Sequence, residues 1–201
     1  MHAEYFDARS SPNRIKWDKI RSCFLSSNPT AGVFFVETQI EDEYVVIKGT
    51  STICQEVFGS SIAQKMGLNA PHVTVLEYSP NPYHSEWRYT KTALGNKMNT
   101  QDPVFTRRAD KELNRAFFLL MEFVPNAISM EDIADSPDVM KLVLSDRQIL
   151  ADLGKMVVCD VILNNWDRIP ISMLWAHEGN AGNVLFSASA NPTKDAPNRL
   201  T

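Results

Sequence analysis

The residue types best suited to chemistry lie near the C-terminal end of the chain, in two short polar segments. The first is Asn164-Asn-Trp-Asp-Arg168, which follows an apolar run. The second contains Asn183, which directly precedes the apolar run Val184-Leu-Phe186. In phosphoryl transfer, an aspartate can accept the proton of the attacking hydroxyl, and an asparagine amide oxygen can hold Mg²⁺ against nucleotide phosphates. The spacing predicts that Asp167 is a general base and that Asn183 is a metal ligand.

Each of these two residues also has a simpler explanation. Aspartate and asparagine are common turn residues, so Asp167 could cap a turn or pair with Arg168. Asn180 competes with Asn183 as the metal ligand, and Asn183 is preferred because it stands immediately before the apolar run. The order of the two segments along the chain, rather than either segment alone, favours catalysis.

A lysine and a glutamate upstream could bind the phosphates of a nucleotide. Lys48 ends the apolar run Tyr44-Val-Val-Ile, and Glu56 lies one turn into the helix predicted to follow. A phosphotransferase can use a cation to hold the α- and β-phosphates of a nucleotide, and a glutamate can fix that cation in place. Taken separately, a lysine at a strand end and a helix glutamate are usually solvated. Their order as a pair favours the functional interpretation.

Two weaker candidates would complete a nucleotide site. Residues 26–32 could form a loop whose backbone N–H groups cradle phosphates, with Gly32 as its one glycine, and a plain surface turn explains the segment equally well. The apolar run at 116–124 ends in Met-Glu-Phe-Val, where the backbones of Glu122 and Val124 could bond the edge of an adenine. A buried strand without this role would contain the same residues.

The elements that position these residues can be predicted from periodicity and turn residues. Residues 15–25 are predicted to form a first strand or a short helix. Residues 33–37 and 44–48 are β-branched and aromatic runs separated by a polar turn, which predicts a hairpin. Apolar residues at helical spacing predict a helix from 53 to 66, with Gly67 at its C-terminus.

Further along the chain, strands are predicted at 72–78 and 116–124. A helix is predicted at 145–163, with Ser145 as its N-cap. Other segments lack strong periodicity: 79–111 is polar and weakly helical, 129–138 is acidic and turn-rich, and 187–201 is predicted to be a loop.

Composition narrows the class of protein. The chain has 201 residues, 44% of them hydrophobic, which is enough for one substantial core or two small lobes. Its net charge is -4 and it has no basic stripe, so neither nucleic acid nor an anionic membrane is an expected partner. Cys23, Cys54 and Cys159 form no disulfide or zinc pattern, which favours a reduced compartment. We expect no signal peptide and no membrane span.

These segments together resemble the actin-fragmin kinase catalytic domain, an atypical protein kinase distantly similar to the phosphoinositide kinases. The resemblance covers most of residues 15–186. It is carried by Val45-Val-Ile-Lys48, the run from 54 to 71, Phe118-Leu-Leu-Met-Glu-Phe-Val124 and Asn164-Asn-Trp-Asp-Arg168 with Asn183.

The resemblance implies a serine/threonine kinase that uses Mg²⁺ and ATP. It implies that Lys48 binds phosphate, Glu56 braces Lys48, Asp167 is the base and Asn183 binds metal. The implied substrate is actin bound to a severing or capping protein, which places the chain in the cytoplasm or on the cytoskeleton.

The implied fold class is α+β, of the protein-kinase-like two-lobed type. A small antiparallel β lobe with one helix would be followed by a mainly helical lobe. The expected domains are a loose N-terminal segment at 1–14, an N-lobe at 15–124 with an insertion at 79–111, and a partial C-lobe with the catalytic loop at 125–201.

One departure from the family pattern concerns a second metal ligand. Kinases place an aspartate for this purpose at the end of a further β-strand after the asparagine. Asp195 lies at a suitable distance, but Asn191-Pro-Thr-Lys is not typical of an apolar strand. The helical lobe is therefore expected to be truncated at its C-terminal end.

Two alternatives stay open at this point. The first is a catalytically impaired, pseudokinase-like fragment that binds a nucleotide or a partner. The second is a small-molecule or lipid kinase of the same superfamily, although no basic cluster suited to a phosphoinositide head group is evident.

Overall fold

A computed structural model describes residues 15–26, 32–41, 43–77, 86–98, 103–169, 171–174, 176, 179–187 and 199–200. The chain divides into two compact units. The first unit contains residues 1–57 and 71–123, and the second contains residues 58–70 and 124–201. The segment at 1–14, which the sequence predicts to be loose, lies outside the described residues.

The first unit contains an antiparallel sheet. Its described strands are β1 (Ser22–Leu25), β2 (Val33–Glu37), β3 (Tyr44–Thr50), β4 (Val73–Glu77) and β5 (Phe117–Glu122). They lie in the order β1-β2-β3-β5-β4. The hairpin predicted from the sequence is confirmed, since Val33 pairs with Lys48 and Glu37 with Tyr44.

Alternation of side chains explains which face of this sheet is buried. Phe34 and Val36 of β2 are fully buried, as are Val45 and Ile47 of β3, and the residues between them are partly exposed. This period of two is that of a strand with one face on a core. In β5, which lies between β3 and β4, the consecutive residues 118–120 are all fully buried.

Helices cover the buried face of the sheet, and the sequence predicted them incompletely. The segment at 79–111 contains α2 (Glu86–Met98) and most of α3 (Pro103–Leu113). Leu94, Ala109 and Leu113 belong to the core, and the ring of Trp87 stacks on Phe118 with centroids 5.6 Å apart. The first unit therefore contains more than the single helix expected of its β lobe.

The helix predicted at 53–66 is confirmed as α1 (Ile53–Lys65), and Gly67 beyond it has a φ of +76°. The division between the units falls within α1, after Val57. A 3-10 helix (Trp17–Lys19) precedes β1, so residues 15–25 contain both of the elements that the sequence left as alternatives.

The second unit is mainly helical in its described part. Its helices are α4 (Met130–Ala134), α5 (Pro137–Ser145) and α6 (Arg147–Leu163), and its strands are β6 (Ala127–Ser129), β7 (Leu185–Ser187) and β8 (Arg199–Leu200). Its core includes Ile133, Ile149, Met156, Val184 and Phe186. Within the described ranges, no helix combines the length and the apolar character that a membrane span requires.

Three sequence predictions in this unit are wrong in detail. The acidic segment at 129–138 is largely helical, because Ser129 and Asp132 form a capping box that begins α4. Residues 199–200, predicted as loop, pair with β7. The N-cap of α6 is Asp146 rather than Ser145, since Ser145 ends α5 and the Asp146 carboxylate accepts hydrogen bonds from the backbone N–H groups of Gln148 and Ile149.

Candidate active site

The two residues predicted as base and metal ligand lie together in the second unit. The Nδ2 of Asn183 donates hydrogen bonds to the carboxylate Oδ2 of Asp167 at 3.0 Å and to the backbone oxygen of Asp167 at 2.8 Å. The two residues are therefore in contact although they are 16 positions apart in the chain, and both are exposed. The amide nitrogen of Asn183 is thus directed at Asp167, and the amide oxygen, which would bind a metal, makes neither of these contacts.

The segment that carries Asn183 is a short 3-10 helix (Ala181–Asn183) before β7. The side chain of Asn180 caps this helix by accepting a hydrogen bond from the N–H of Gly182 at 3.2 Å. Asn180 therefore has a local structural role, which supports the choice of Asn183 over Asn180 as the candidate ligand. The described residues contain no group of three or more histidine, cysteine or acidic side chains that could hold a metal by themselves.

A buried aspartate, which the sequence reasoning missed, anchors the loop that carries Asp167. Asp160 lies in the last turn of α6 with 1% of its surface exposed. Its Oδ1 accepts hydrogen bonds from the Nη1 of Arg168 and from the Nδ2 of Asn165, the latter at 2.9 Å. Arg168 therefore pairs with Asp160, and the alternative in which it pairs with Asp167 is wrong in this structure.

Backbone geometry lets the chain turn sharply at this point. Asn164 follows α6 in the left-handed conformation, with a φ of 51°, which asparagine adopts more readily than most residues. The N–H of Asn165 then bonds the backbone oxygen of Asp160 at 2.8 Å. The Asn164-Asn165 pair noted in the sequence thus ends the helix and begins the candidate catalytic loop.

Burial raises the pKa of the Asp160 carboxyl above its usual value, while the Arg168 guanidinium and the hydrogen bonds from Asn165 and Arg168 act in the opposite direction. Its second oxygen, Oδ2, has no hydrogen-bond partner within the described residues. Burial likewise raises the pKa of the adjacent Cys159 thiol, and the neighbouring Asp160 charge adds to this.

The lysine and the glutamate predicted as a pair form an ion pair in the first unit. The Nζ of Lys48 on β3 lies 2.5 Å from the Oε1 of Glu56, which is in the first turn of α1. The two side chains are 35% and 30% exposed. The backbone oxygen of Thr52 accepts the N–H of Glu56 at 3.3 Å, which closes the first turn of α1.

Gly32 has a structural reason to be glycine. It has a φ of +46°, and a Cβ at this position would lie 2.5 Å from the Cδ of Glu112 at the end of α3. Glu112 also pairs with Arg115 at 3.3 Å. A carboxylate beside Gly32 does not favour a bound phosphate there. Residues 27–31 of the predicted phosphate loop lie outside the described residues, so the assignment of Gly32 to ATP stays a prediction.

The predicted adenine-binding residues lie where β5 ends. Glu122 is the last residue of β5 and pairs with Val45, and its side-chain Oε2 accepts the N–H of His72 at 3.3 Å. Val124, two residues further on, is partly buried. The role of these two backbones in binding an adenine stays a prediction.

An antiparallel sheet with helices and a second, helix-rich unit make this an α+β chain consistent with a kinase-like catalytic domain. A family model described as actin-fragmin kinase, catalytic, matches residues 3–199. The chain therefore belongs to the actin-fragmin kinase catalytic domain family, and the resemblance stated from the sequence is confirmed.

A Dictyostelium discoideum protein that carries the provisional name actin-fragmin kinase is similar to this chain. The two are 30% identical over 190 residues, which cover 92% of this chain and 42% of the Dictyostelium protein. The chain thus spans less than half the length of this relative.

Proposed function

We propose that this chain acts in ATP-dependent phosphotransfer to a serine or threonine hydroxyl of a protein substrate. The observation that carries the proposal is the hydrogen-bonded pair of Asp167 and Asn183 on two separate exposed segments. Exposed turn residues need no such partner for stability, whereas a base and a metal ligand must be adjacent to act on one phosphate. The proposal includes the two-lobed kinase-like architecture.

The proposed chemistry assigns one step to Asp167. Its carboxylate accepts the proton of the substrate hydroxyl as the hydroxyl oxygen forms a bond to the γ-phosphorus, the bond from that phosphorus to the bridging oxygen breaks, and ADP leaves. Asn183 holds the Asp167 carboxylate in place through its Nδ2. Bound Mg²⁺ supplies charge neutralisation at the phosphates.

The available donors fit Mg²⁺. This ion is usually held by one or two carboxylates, other oxygen donors, water and substrate phosphates rather than by an all-protein cage. The amide oxygen of Asn183 and the carboxylate of Asp167 are hard oxygen donors of this kind. We assign Asn183 as the ligand and leave Asp167 its role as base.

In the first unit, Lys48 would bind the α- and β-phosphates, and Glu56 would hold the ammonium group in position. The ion pair at 2.5 Å supports this assignment. Gly32 and the backbones of Glu122 and Val124 are proposed as ATP-binding groups, and their place in the chain order supports this.

The proposed substrate is actin or a complex of actin with a severing or capping protein, in the cytoplasm or on the cytoskeleton. This proposal depends on the family name, because no surface of the described residues identifies a partner. It is therefore the part that a direct experiment should address first.

The test is transfer of labelled γ-phosphate from Mg·ATP to actin, alone and in complex with a severing protein. The variants are Asp167→Asn and Asn183→Ala, and the matched control is Asp138→Asn, which removes an exposed carboxylate from α5 of the same unit. We expect Asp167→Asn to lower kcat by at least about 100-fold, in line with loss of a general base, and Asp138→Asn to match wild type. Equal transfer by wild type and Asp167→Asn, or no transfer by a folded wild type, would overturn the proposal.

A further inference from the structure

We propose that Asp160 is a positioning residue for Asp167, which it holds in place through Asn165 and Arg168. The inference rests on the proposed function, in which Asp167 is the base. It concerns a buried residue that lies in the last turn of a helix rather than in the loop.

The contacts of a single carboxylate oxygen carry the inference. The Oδ1 of Asp160 accepts hydrogen bonds from Asn165 and from Arg168, and these residues flank the exposed dipeptide formed by Trp166 and Asp167. A four-residue segment is thereby bound at both ends to one atom. The position of Asp167 is fixed by this geometry although its own side chain remains exposed.

A second connection leads from Asp160 to Asp167 through the amide of Asn165. The Nδ2 of this amide donates to Asp160 at 2.9 Å, and its Oδ1 accepts the backbone N–H of Asp167 at 3.3 Å. The backbone oxygen of Arg168 accepts the N–H of Asn180 at 3.0 Å, which ties the same loop to the segment that carries Asn183. Asp160 is therefore two hydrogen bonds away from the base.

The energetics of Asp160 argue against a role in stability alone. Its carboxylate is almost completely buried, and one of its oxygens has no hydrogen-bond partner among the described residues. Replacing a buried ion pair by apolar residues of similar size is often neutral or stabilising. A stable helix end could therefore be built without this charge, whereas a fixed loop geometry needs its two hydrogen bonds.

The experiment compares Asp160→Asn and the double variant Asp160→Leu/Arg168→Met with a matched control, Asp152→Asn. Asp152 is also a largely buried carboxylate on α6, and it pairs with Lys155 at 2.8 Å. The measurements are the melting temperature, the hydrogen exchange of the amides at 164–168, and kcat and KM for ATP.

We expect Asp160→Asn and the double variant to increase exchange of the Asp167 amide at least about tenfold and to lower kcat at least about tenfold, with KM for ATP changed less than about threefold. The double variant should keep the melting temperature of wild type or exceed it. Asp152→Asn should leave kcat and the exchange of the Asp167 amide unchanged.

Unchanged exchange at Asp167 in both Asp160 variants would overturn the inference. A loss of kcat that follows a loss of melting temperature equally in the Asp152 and Asp160 variants would overturn it as well. If folded wild type transfers no phosphate, the proposed function fails, and the exchange measurement still decides whether Asp160 fixes the position of Asp167.

Discussion

Removing the charge of Lys48 should affect nucleotide binding far more than folding. Lys48 and Glu56 each keep about a third of their side-chain surface exposed, at 35% and 30%. Two unit charges 2.5 Å apart attract by about 7 kcal/mol at an effective dielectric constant of 20. Solvent screening and the ordering of two long side chains cancel most of this, and measured pairs of this kind contribute about 0.2–1 kcal/mol. Lys48→Met should therefore lower the melting temperature by about 4 °C at most.

The effect on ATP is expected to be much larger. ATP at a hundredfold excess over its Kd stabilises the native state by about 2.7 kcal/mol, which corresponds to a rise in melting temperature of about 5–11 °C in wild type. Lys48→Met should abolish most of this rise. It should also lower kcat/KM for phosphotransfer at least about 100-fold, or about 2.7 kcal/mol of transition-state stabilisation. Glu56→Gln should show the same defects in weaker form, since the lysine remains.

A second ion pair in the first unit provides the control. The Nε of Arg21 lies 3.0 Å from Glu37, and the two side chains are 46% and 16% exposed. Arg21→Met should lower the melting temperature by an amount similar to Lys48→Met and leave the ATP-dependent rise intact. If thermal-shift assays with and without Mg²⁺ gave Arg21→Met and Lys48→Met equal ATP-dependent rises, Lys48 would not be a phosphate-binding residue.

Other predictions follow from glycine and cysteine positions. Gly32→Ala should lower the free energy of unfolding, measured in urea, by about 1–3 kcal/mol, because Gly32 has a φ of +46° and crowded surroundings. Gly67→Ala should lower it less, because Gly67 has a φ of +76° but open space around it. Equal losses would contradict the steric part of this reasoning. A thiol reagent should label exposed Cys54 in the folded chain, while buried Cys23 and Cys159 react only after unfolding. Burial raises the pKa of the Cys23 thiol from 9.0 to about 12. The stability that comes from burying this neutral thiol is therefore intact below pH 9 and is lost as the pH rises toward 12. The midpoint of urea unfolding, measured at increasing pH, would report this loss.

Local patterns explain which parts of the fold could be predicted. The β2–β3 hairpin has a period-two alternation of its own, and α1 is followed by Gly67, whose φ of +76° ends the helix; both elements were predicted nearly to the residue. The helix α3 was missed because the polar composition of 79–111 concealed it, although Ala109 and Leu113 lie four residues apart and are both buried. The start of α4 had a visible signal in the capping box of Ser129 and Asp132, which the acidic composition of the segment obscured.

The residues of the candidate site also divide into those that the sequence could nominate and those that it could not. Residue type and order along the chain suffice to nominate four residues, Lys48, Glu56, Asp167 and Asn183. The structure pairs Lys48 with Glu56 and Asp167 with Asn183. Gly32 had an ambiguous signal, since the sequence cannot show that Glu112, eighty positions away, lies against it. The sequence predicts a phosphate loop and a plain turn equally well at Gly32, and close packing against Glu112 is a sufficient explanation of the glycine.

Asp160 had a signal in the sequence, but its meaning depended on a partner outside the helix. Ile149, Asp152, Met156 and Asp160 recur at helical spacing on the buried side of α6, so both aspartates occupy positions where a core residue is expected. A buried carboxylate needs a partner, and Asp152 has one within the helix, in Lys155 three residues on. The partner of Asp160 is Arg168, beyond the left-handed turn at Asn164, which periodicity does not reveal. Asp160 has no cation three or four residues before it in α6, so its partner must come from outside the helix, and the following loop supplies it. In this chain, that loop is the one that carries the candidate base.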